Sequence, residues 1–289
     1  MIRNFLFHRV NPVRDLLWDP MDVGLFEKCI KYIKEHYEVV QIEDLVFSKD
    51  LFAKNNYATI MFDDGYKDNI EYAADILEKN RCKASFYVVT DCIDKNIPTW
   101  THILEHTFQH TSIPEINLGF DFLPDDLKVK KLATKPERIE YVGRLKPFLK
   151  KLSHIERNLV LNIVVSTYND ATIPGLMMNW QDLQQLKNAG HYIGSHTMSH
   201  CMLGTMNDNK EIEKELRGSA EKIHQHLGHF PLTISYPVGS FNENTKQLSQ
   251  SQDIKSDLQL SKPLTTPKKT TSLKFHELNC TMSHGGKQG

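Results

Sequence analysis

From Phe5 to Tyr236 the apolar positions follow two alternating periods. Short apolar runs at Phe5–Val10, Tyr37–Gln41, Ala58–Phe62, Ala84–Val89, His191–Ser195 and Thr233–Tyr236 have the length and make-up of buried strands. Between them, Phe26, Ile30 and Ile33 in the stretch 21–36, and Ile70, Ala73, Ala74 and Leu77 before Asn80, recur at helical spacing. Two later helices carry their own punctuation. Asn179, with Asp182 three residues on and Gly190 beyond, predicts a capped helix that turns Leu183 and Leu186 inward. The stretch 209–227 sets Ile212, Leu216, Ile223 and Leu227 on one side and stops at Gly228. Strand alternating with helix predicts an α/β fold around a parallel sheet or barrel. The clearest βαβ unit spans 58–89, and its Asp63-Asp64-Gly65 turn follows the first strand, at the end where such folds gather ligands.

The period fails between Asp91 and Met178. Lysine-rich stretches there, Leu127–Leu132 and Tyr141–Leu152, read as helical, and the segment is expected to be an insertion into the main domain. The 289 residues are 40% hydrophobic and 25% charged, which excludes fibrous and wholly disordered classes. A net charge of -1 argues against nucleic acid as a partner. The longest apolar run, Leu159–Val165, is interrupted by Asn162 and falls well short of the roughly 18 residues that cross a bilayer. Charges at Arg3, Arg9, Arg14 and Asp15 leave no signal-peptide core, so the expectation is a cytoplasmic protein without a transmembrane segment. The five scattered cysteines lack a Cys-x-x-Cys pair and suggest neither a disulfide framework nor a thiolate zinc site.

Two constellations at strand ends carry chemistry. Adjacent carboxylates, Asp63 and Asp64, point in different directions, so one can ligate a metal while the other acts as a base. His196 and His200, four apart, are expected to meet on one face of a helical turn. One Asp and two His make three protein ligands and leave a fourth position for water, the open pattern of a catalytic zinc site. Such a metal acidifies its water and polarises a carbonyl while a free carboxylate takes the proton. Thr197 stands where a His-Glu-x-x-His metalloprotease needs its glutamate, which excludes that class. His224, His226 and His229 read as a solvated helix end.

Thr59-Ile-Met-Phe-Asp-Asp-Gly65, followed by Ala84-Ser-Phe-Tyr-Val88, and Ser195-His-Thr-Met-Ser-His200 resemble the first two motifs of the polysaccharide deacetylases, the NodB-homology or family 4 carbohydrate esterases. The resemblance covers about 5–242. It implies a distorted (β/α)7-type barrel that removes N-acetyl groups from an amino-sugar glycan, with metal-activated water attacking the acetamide carbonyl. By position it makes Asp63 the general base and Asp64, His196 and His200 the ligands of a divalent metal, Zn2+ first, with Co2+, Ni2+ or Mn2+ as alternatives. Ser235-Tyr-Pro-Val-Gly239 is similar to the third motif. This implies that Tyr236, Pro237, Val238 and Gly239 line the substrate, with a backbone N–H near Val238 at the oxyanion. The chain departs from the family at Ser235, where many members carry an arginine that orients the base, and at Val238, where many carry tyrosine. His8 and Arg9, at the end of the first strand, are candidates to reach the site.

Residues 251–289 change character, with ten Ser or Thr, one aromatic and six Lys against three acidic residues. No strand or helix period survives there, although the barrel still needs closing elements. A polar disordered tail accounts for this, and so does a frameshift. Back-translated codons read two bases on can spell an apolar strand and the Ile-Pro-Arg-Ile ending seen in relatives. On the frameshift reading, closure of the barrel is incomplete and neither His276 nor His284 serves as the family's general acid. The rival functions are an impaired relative that keeps only metal or glycan binding, and a hydrolase of another amide on the same scaffold.

Overall fold

The computed structural model describes residues 2–47, 56–169, 171–251, 256–258 and 277–278. Strand β1 (Ile2–Phe7) leads through helix α1 (Val23–His36), β2 (Glu38–Val39) and α2 (Ile42–Phe47) to β3 (Tyr57–Phe62). A turn and one stretch of π-helix (Asn69–Ala73) run into α3 (Ala74–Lys79), then β4 (Ser85–Val88) and α4 (Thr90–Lys95). Next come α5 (Trp100–His110), β5 (Glu115–Asn117), α6 (Asp125–Lys128), β6 (Val129–Lys131), α7 (Lys135–Leu149) and α8 (His154–Ile163). The chain continues through α9 (Trp180–Asn188), β7 (Tyr192–Ser195), α10 (Asn209–Leu227), β8 (Thr233–Ser235), α11 (Glu243–Ser251), β9 (Ser256–Leu258) and β10 (Glu277–Leu278).

The main sheet runs in the order β10-β1-β3-β4-β7-β8-β9, with β2 beside the start of β3. Every pairing is parallel except β1 with β10. The sheet curls into a half-barrel with helices around it, not closed among the described residues, so the (β/α) barrel expectation holds. Among the described residues no helix is long and apolar enough to cross a membrane.

Period two along the strands sorts the two faces. Ala58, Ile60, Phe62, Phe86, Val88 and Ile193 join Phe26, Ile30, Leu77, Leu183 and Ile223 in the core between sheet and helices. The opposite, concave face mixes a small apolar cluster of Ile42, Met61 and Tyr87 with buried polar groups. There Ser85 Oγ and Tyr87 Oη donate to the Glu43 carboxylate at 2.6 and 2.9 Å, and Thr233 Oγ1 donates to it at 2.6 Å. Gly194 belongs to this face as well, because a Cβ there would lie 2.5 Å from Tyr87 Cε1. The same parity carries to the strand ends: Asp63 follows Thr59 and Met61, His196 follows Gly194, and Ser235 follows Thr233. Burial on both faces explains why β3 reads as an unbroken apolar run.

Several boundaries differ from expectation. The first strand ends at Phe7, and Val10 makes only an isolated bridge to Met21. Of the stretch 127–132, read as helical, only its start lies in α6; residues 129–131 form β6 and pair with β5, because their contacts lie across a hairpin. The insertion surrounds a hydrophobic cluster of its own, including Leu104, Phe108, Leu127, Tyr141, Leu145 and Val160. Where no strand period was found beyond 251, β9 extends the sheet beside β8 and β10 beside β1; strands of three and two residues are too short to leave an alternation. The remainder of the reading of 251–289, His276 and His284 included, lies outside the described residues.

Candidate metal centre

The residues of the centre gather at the carboxyl ends of β3, β7 and β8 and in the turn that follows β7. Asp63 prolongs β3, and its N–H donates to Phe7 O at 3.1 Å. Asp64 then takes a left-handed φ of 76° and Gly65 a φ of 90°. A Cβ on Gly65 would meet Ile93 Cδ1 at 3.0 Å, so the turn is closed by the one residue that tolerates both its conformation and its packing. His196 prolongs β7, its N–H donating to Val88 O at 3.0 Å.

The two histidines are not on a helix. Thr197 and His200 have φ of 67° and 59°, so the segment folds as a tight irregular turn. The expected helical face fails because left-handed residues break the 3.6-residue period. The turn is held from outside. Glu215, buried on α10, accepts from Met198 N at 3.0 Å, Ser199 N at 2.9 Å and Ser199 Oγ at 2.6 Å.

His196 Nε2 and His200 Nε2 lie 3.4 and 3.3 Å from Asp64 Oδ1, and the three side chains are fully buried. Donor atoms of Asp64, His196 and His200 fall within 4.8 Å of one another, the only such cluster among the described residues. Both Asp64 oxygens are buried without a hydrogen-bond partner. His196 Nδ1 lies 2.6 Å from Ser235 O, and a carbonyl only accepts, so Nδ1 carries the proton and Nε2 keeps its lone pair. An oxygen and two imidazoles, with orphaned carboxylate oxygens between them, fit a divalent ion.

Burial works against the Asp64 carboxylate, but the imidazoles of His196 and His200 outweigh it and hold the group well below the ordinary range, with His8 adding its charge. Desolvation pulls His196 down, yet Asp63 and Asp64 leave it above its usual value. For His200 desolvation wins, and its value is lowered.

Asp63 stands beside this cluster, with Oδ2 3.9 Å from His196 Nε2. Ser235 Oγ donates to the same Oδ2 at 3.0 Å, while Asp63 Oδ1 has no partner. A hydroxyl therefore holds the carboxylate where the sequence suggested an orienting partner was missing. Neither that contact nor Glu215 was found from sequence, although a glutamate on the apolar side of an amphipathic helix, between Ile212 and Leu216, is a signal in its own right.

Other candidates separate. Asn69 Nδ2 donates to His8 O at 2.8 Å, and the His8 ring meets Trp18 edge-on. Arg9 is turned to Asp68, Nε to Oδ2 2.9 Å, over the Tyr66 ring. Tyr236 is buried, with its ring against Phe241 and its hydroxyl 2.9 Å from Ser249 Oγ, so its side chain is engaged within the protein. Pro237 is buried too, whereas Val238 is exposed with a φ of 58°. His224 stacks on Phe230 and His226 on Trp180, and His229 Nε2 lies 3.0 Å from Ile193 O, so these three do not converge.

The fold and site thus define a parallel α/β half-barrel with an Asp-His-His cluster and a second carboxylate at the carboxyl ends of its strands. The family model for polysaccharide deacetylase matches residues 53–256, and the chain belongs to that family. Membership makes it a hydrolase of N-acetyl amide bonds, one that de-N-acetylates glycans. The structure is similar to the Streptococcus pyogenes deacetylase PplD in complex with acetate, at TM-score 0.56 and 16% identity over 88% of this chain and 81% of that one. It is also similar to IcaB from Ammonifex degensii, at TM-score 0.55 and 12% identity over 88% and 81% of the two chains. A third similar structure is a de-N-acetylase from Aggregatibacter actinomycetemcomitans, at TM-score 0.54 and 13% identity over 89% and 86%. Comparison with curated proteins finds no match.

Proposed function

We propose that the chain is a metal-dependent N-deacetylase of an amino-sugar glycan, with Asp64, His196 and His200 as metal ligands and Asp63 as general base. The observation that carries this reading is the convergence of the three ligand atoms within 4.8 Å beside a carboxylate whose Oδ1 is unengaged. Zinc suits one carboxylate and two imidazoles; cobalt, nickel and manganese are the alternatives. When bound, a divalent ion supplies the Lewis acid that polarises the acetamide carbonyl and acidifies the attacking water.

The chain's own residues do the remainder. Ser235 Oγ fixes one oxygen of Asp63, and the other takes the proton from water. Ser235 O fixes the tautomer of His196. Of the third motif, Pro237 has no N–H and Gly239 N donates to Tyr236 O at 2.8 Å, which favours the Val238 N–H as donor to the developing oxyanion. Acetate is the acyl product of this reaction, and acetate is what the Streptococcus pyogenes structure contains. The contact between Ser235 and Asp63 counts against an impaired relative.

Substitution tests the assignment. Asp63→Asn is expected to cut acetate release from an N-acetylglucosamine oligomer by at least about 100-fold while zinc stays bound. His196→Ala is expected to lose the zinc. Turnover that survives in Asp63→Asn removes the base from the mechanism, and full zinc occupancy in His196→Ala removes that ligand.

A further inference from the structure

The turn that carries both histidines is expensive to hold. Thr197 is β-branched and sits at φ 67°, and His200 sits at φ 59°. Left-handed backbone at residues other than glycine persists only where surrounding structure enforces it. On one side α4 holds it, with Asp91 N donating to Met198 O at 2.9 Å, and on the other side the enforcing surface is a face of α10. Glu215 takes up two consecutive backbone N–H groups and the Ser199 hydroxyl, all within 3.0 Å. Consecutive N–H groups after a left-handed residue form a concave anion nest, and here the anion is the protein's own carboxylate. One turn further along the same face, Ser219 Oγ lies 2.8 Å from Ser195 Oγ, which itself accepts from Thr197 N at 3.2 Å. Between the two, Gly218 has its Cα side against Met198: a Cβ there would lie 2.8 Å from Met198 Sδ. Glu215, Gly218 and Ser219 thus touch the segment 195–199 from end to end.

We propose that Glu215 is a positioning residue of the metal centre, acting through the 198–199 backbone to hold His196 and His200 in ligating geometry. The inference rests on the reading of Asp64, His196 and His200 as ligands. Glu215 touches none of them, and its effect is on their spacing. Groups that orient metal ligands from outside the coordination sphere typically carry about 10- to 100-fold in metal affinity. The two N–H groups share Oε2 and the hydroxyl takes Oε1, so Glu215→Gln leaves one accepting oxygen, sets an NH2 group against the Ser199 hydroxyl and removes the negative charge the nest holds, while conserving volume. Ser199→Ala removes the hydroxyl contact to Glu215, together with the one to Cys201 Sγ at 2.9 Å, and keeps both N–H groups in the nest. Glu213, exposed on the same helix, is the control.

The experiment is zinc affinity of the full chain by competition with a chromogenic chelator, for the wild type, Glu215→Gln, Ser199→Ala and Glu213→Gln, with circular dichroism on each metal-free protein. Glu215→Gln is expected to bind zinc about 10- to 100-fold more weakly, Ser199→Ala to fall between it and the wild type, and Glu213→Gln to match the wild type, all four with the same metal-free spectrum. The cobalt(II) form of Glu215→Gln is expected to show an altered visible ligand-field band. Zinc affinity within twofold of wild type in both Glu215→Gln and Ser199→Ala overturns the proposal, and so does equal weakening in Glu213→Gln. If Glu215→Gln fails to fold, Ser199→Ala decides alone. A wild type that binds no zinc overturns the ligand reading along with the proposal. Zinc binding without acetate release overturns only the reaction.

Discussion

Ser235 shows how one residue couples the proposed base to a proposed ligand. Its hydroxyl donates to Asp63 and its carbonyl accepts from His196 Nδ1. Ser235→Ala keeps the carbonyl and loses the hydroxyl, which separates the two roles. A hydrogen bond to a charged group contributes about 1.5–3 kcal/mol, so kcat is expected to fall roughly tenfold or more, with KM and zinc content unchanged. Steady-state kinetics with metal analysis checks this, and an unchanged kcat shows that Asp63 needs no such anchor. Asp63, Asp64, His196 and His200 were all legible in the sequence, because motif and strand end coincide at each. The anchor was not: serine at 235 could be read, but its reach to a carboxylate 172 positions away depends on how the sheet curls.

At the scale of elements, parity and caps translate well from sequence. Asn179 and Asp182 form the reciprocal cap foreseen for α9, and the Gly228 stop of α10 has a φ of 71°. The connection from α9 into β7 carries a buried histidine: His191 Nδ1 accepts from Ala84 N at 3.1 Å, and its ring meets Phe86 edge-on. Desolvation pushes this imidazole down to about 4, with the Lys83 charge adding to the effect. The folded state therefore prefers it neutral. Its contribution to stability is complete above the ordinary histidine value and is lost as pH falls toward about 4. His191→Asn keeps an acceptor for Ala84 N and removes the titration. Chemical denaturation at a series of pH values is expected to show the wild type losing more stability than the variant over that window; identical slopes refute the assignment. The internal structure of 91–178 was not legible at this scale, since its helices and hairpin meet in a cluster whose contacts follow no single period.

Across the whole molecule, the concave side of the half-barrel carries two polar layers. Glu43 gathers Ser85, Tyr87 and Thr233 from β4 and β8 below, and the Asp-His-His cluster with Asp63 lies past the ends of β3 and β7, beside Ser235 at the end of β8. Burial raises the Glu43 carboxyl, with the hydroxyl contacts opposing that rise. Removing the group takes the shared acceptor from three hydroxyls, of which Thr233 and Tyr87 still lie 3.2 Å apart, and leaves a cavity. Glu43→Ala is therefore expected to destabilise the fold by about 2–4 kcal/mol in thermal unfolding, and a loss below about 1 kcal/mol would mean that water substitutes for the carboxylate. Alternating residues of the strands foretell which side chains share a face; they do not foretell that α2 supplies the acid between them.

Acetate release by the full chain, freed of metal with a chelator and then titrated with zinc on an N-acetylglucosamine oligomer, tests the central claim most directly. The account predicts no turnover without metal, activity that rises in proportion to zinc, and saturation at one ion per chain. Turnover that persists in the metal-free protein, or none in the protein carrying one zinc, contradicts it.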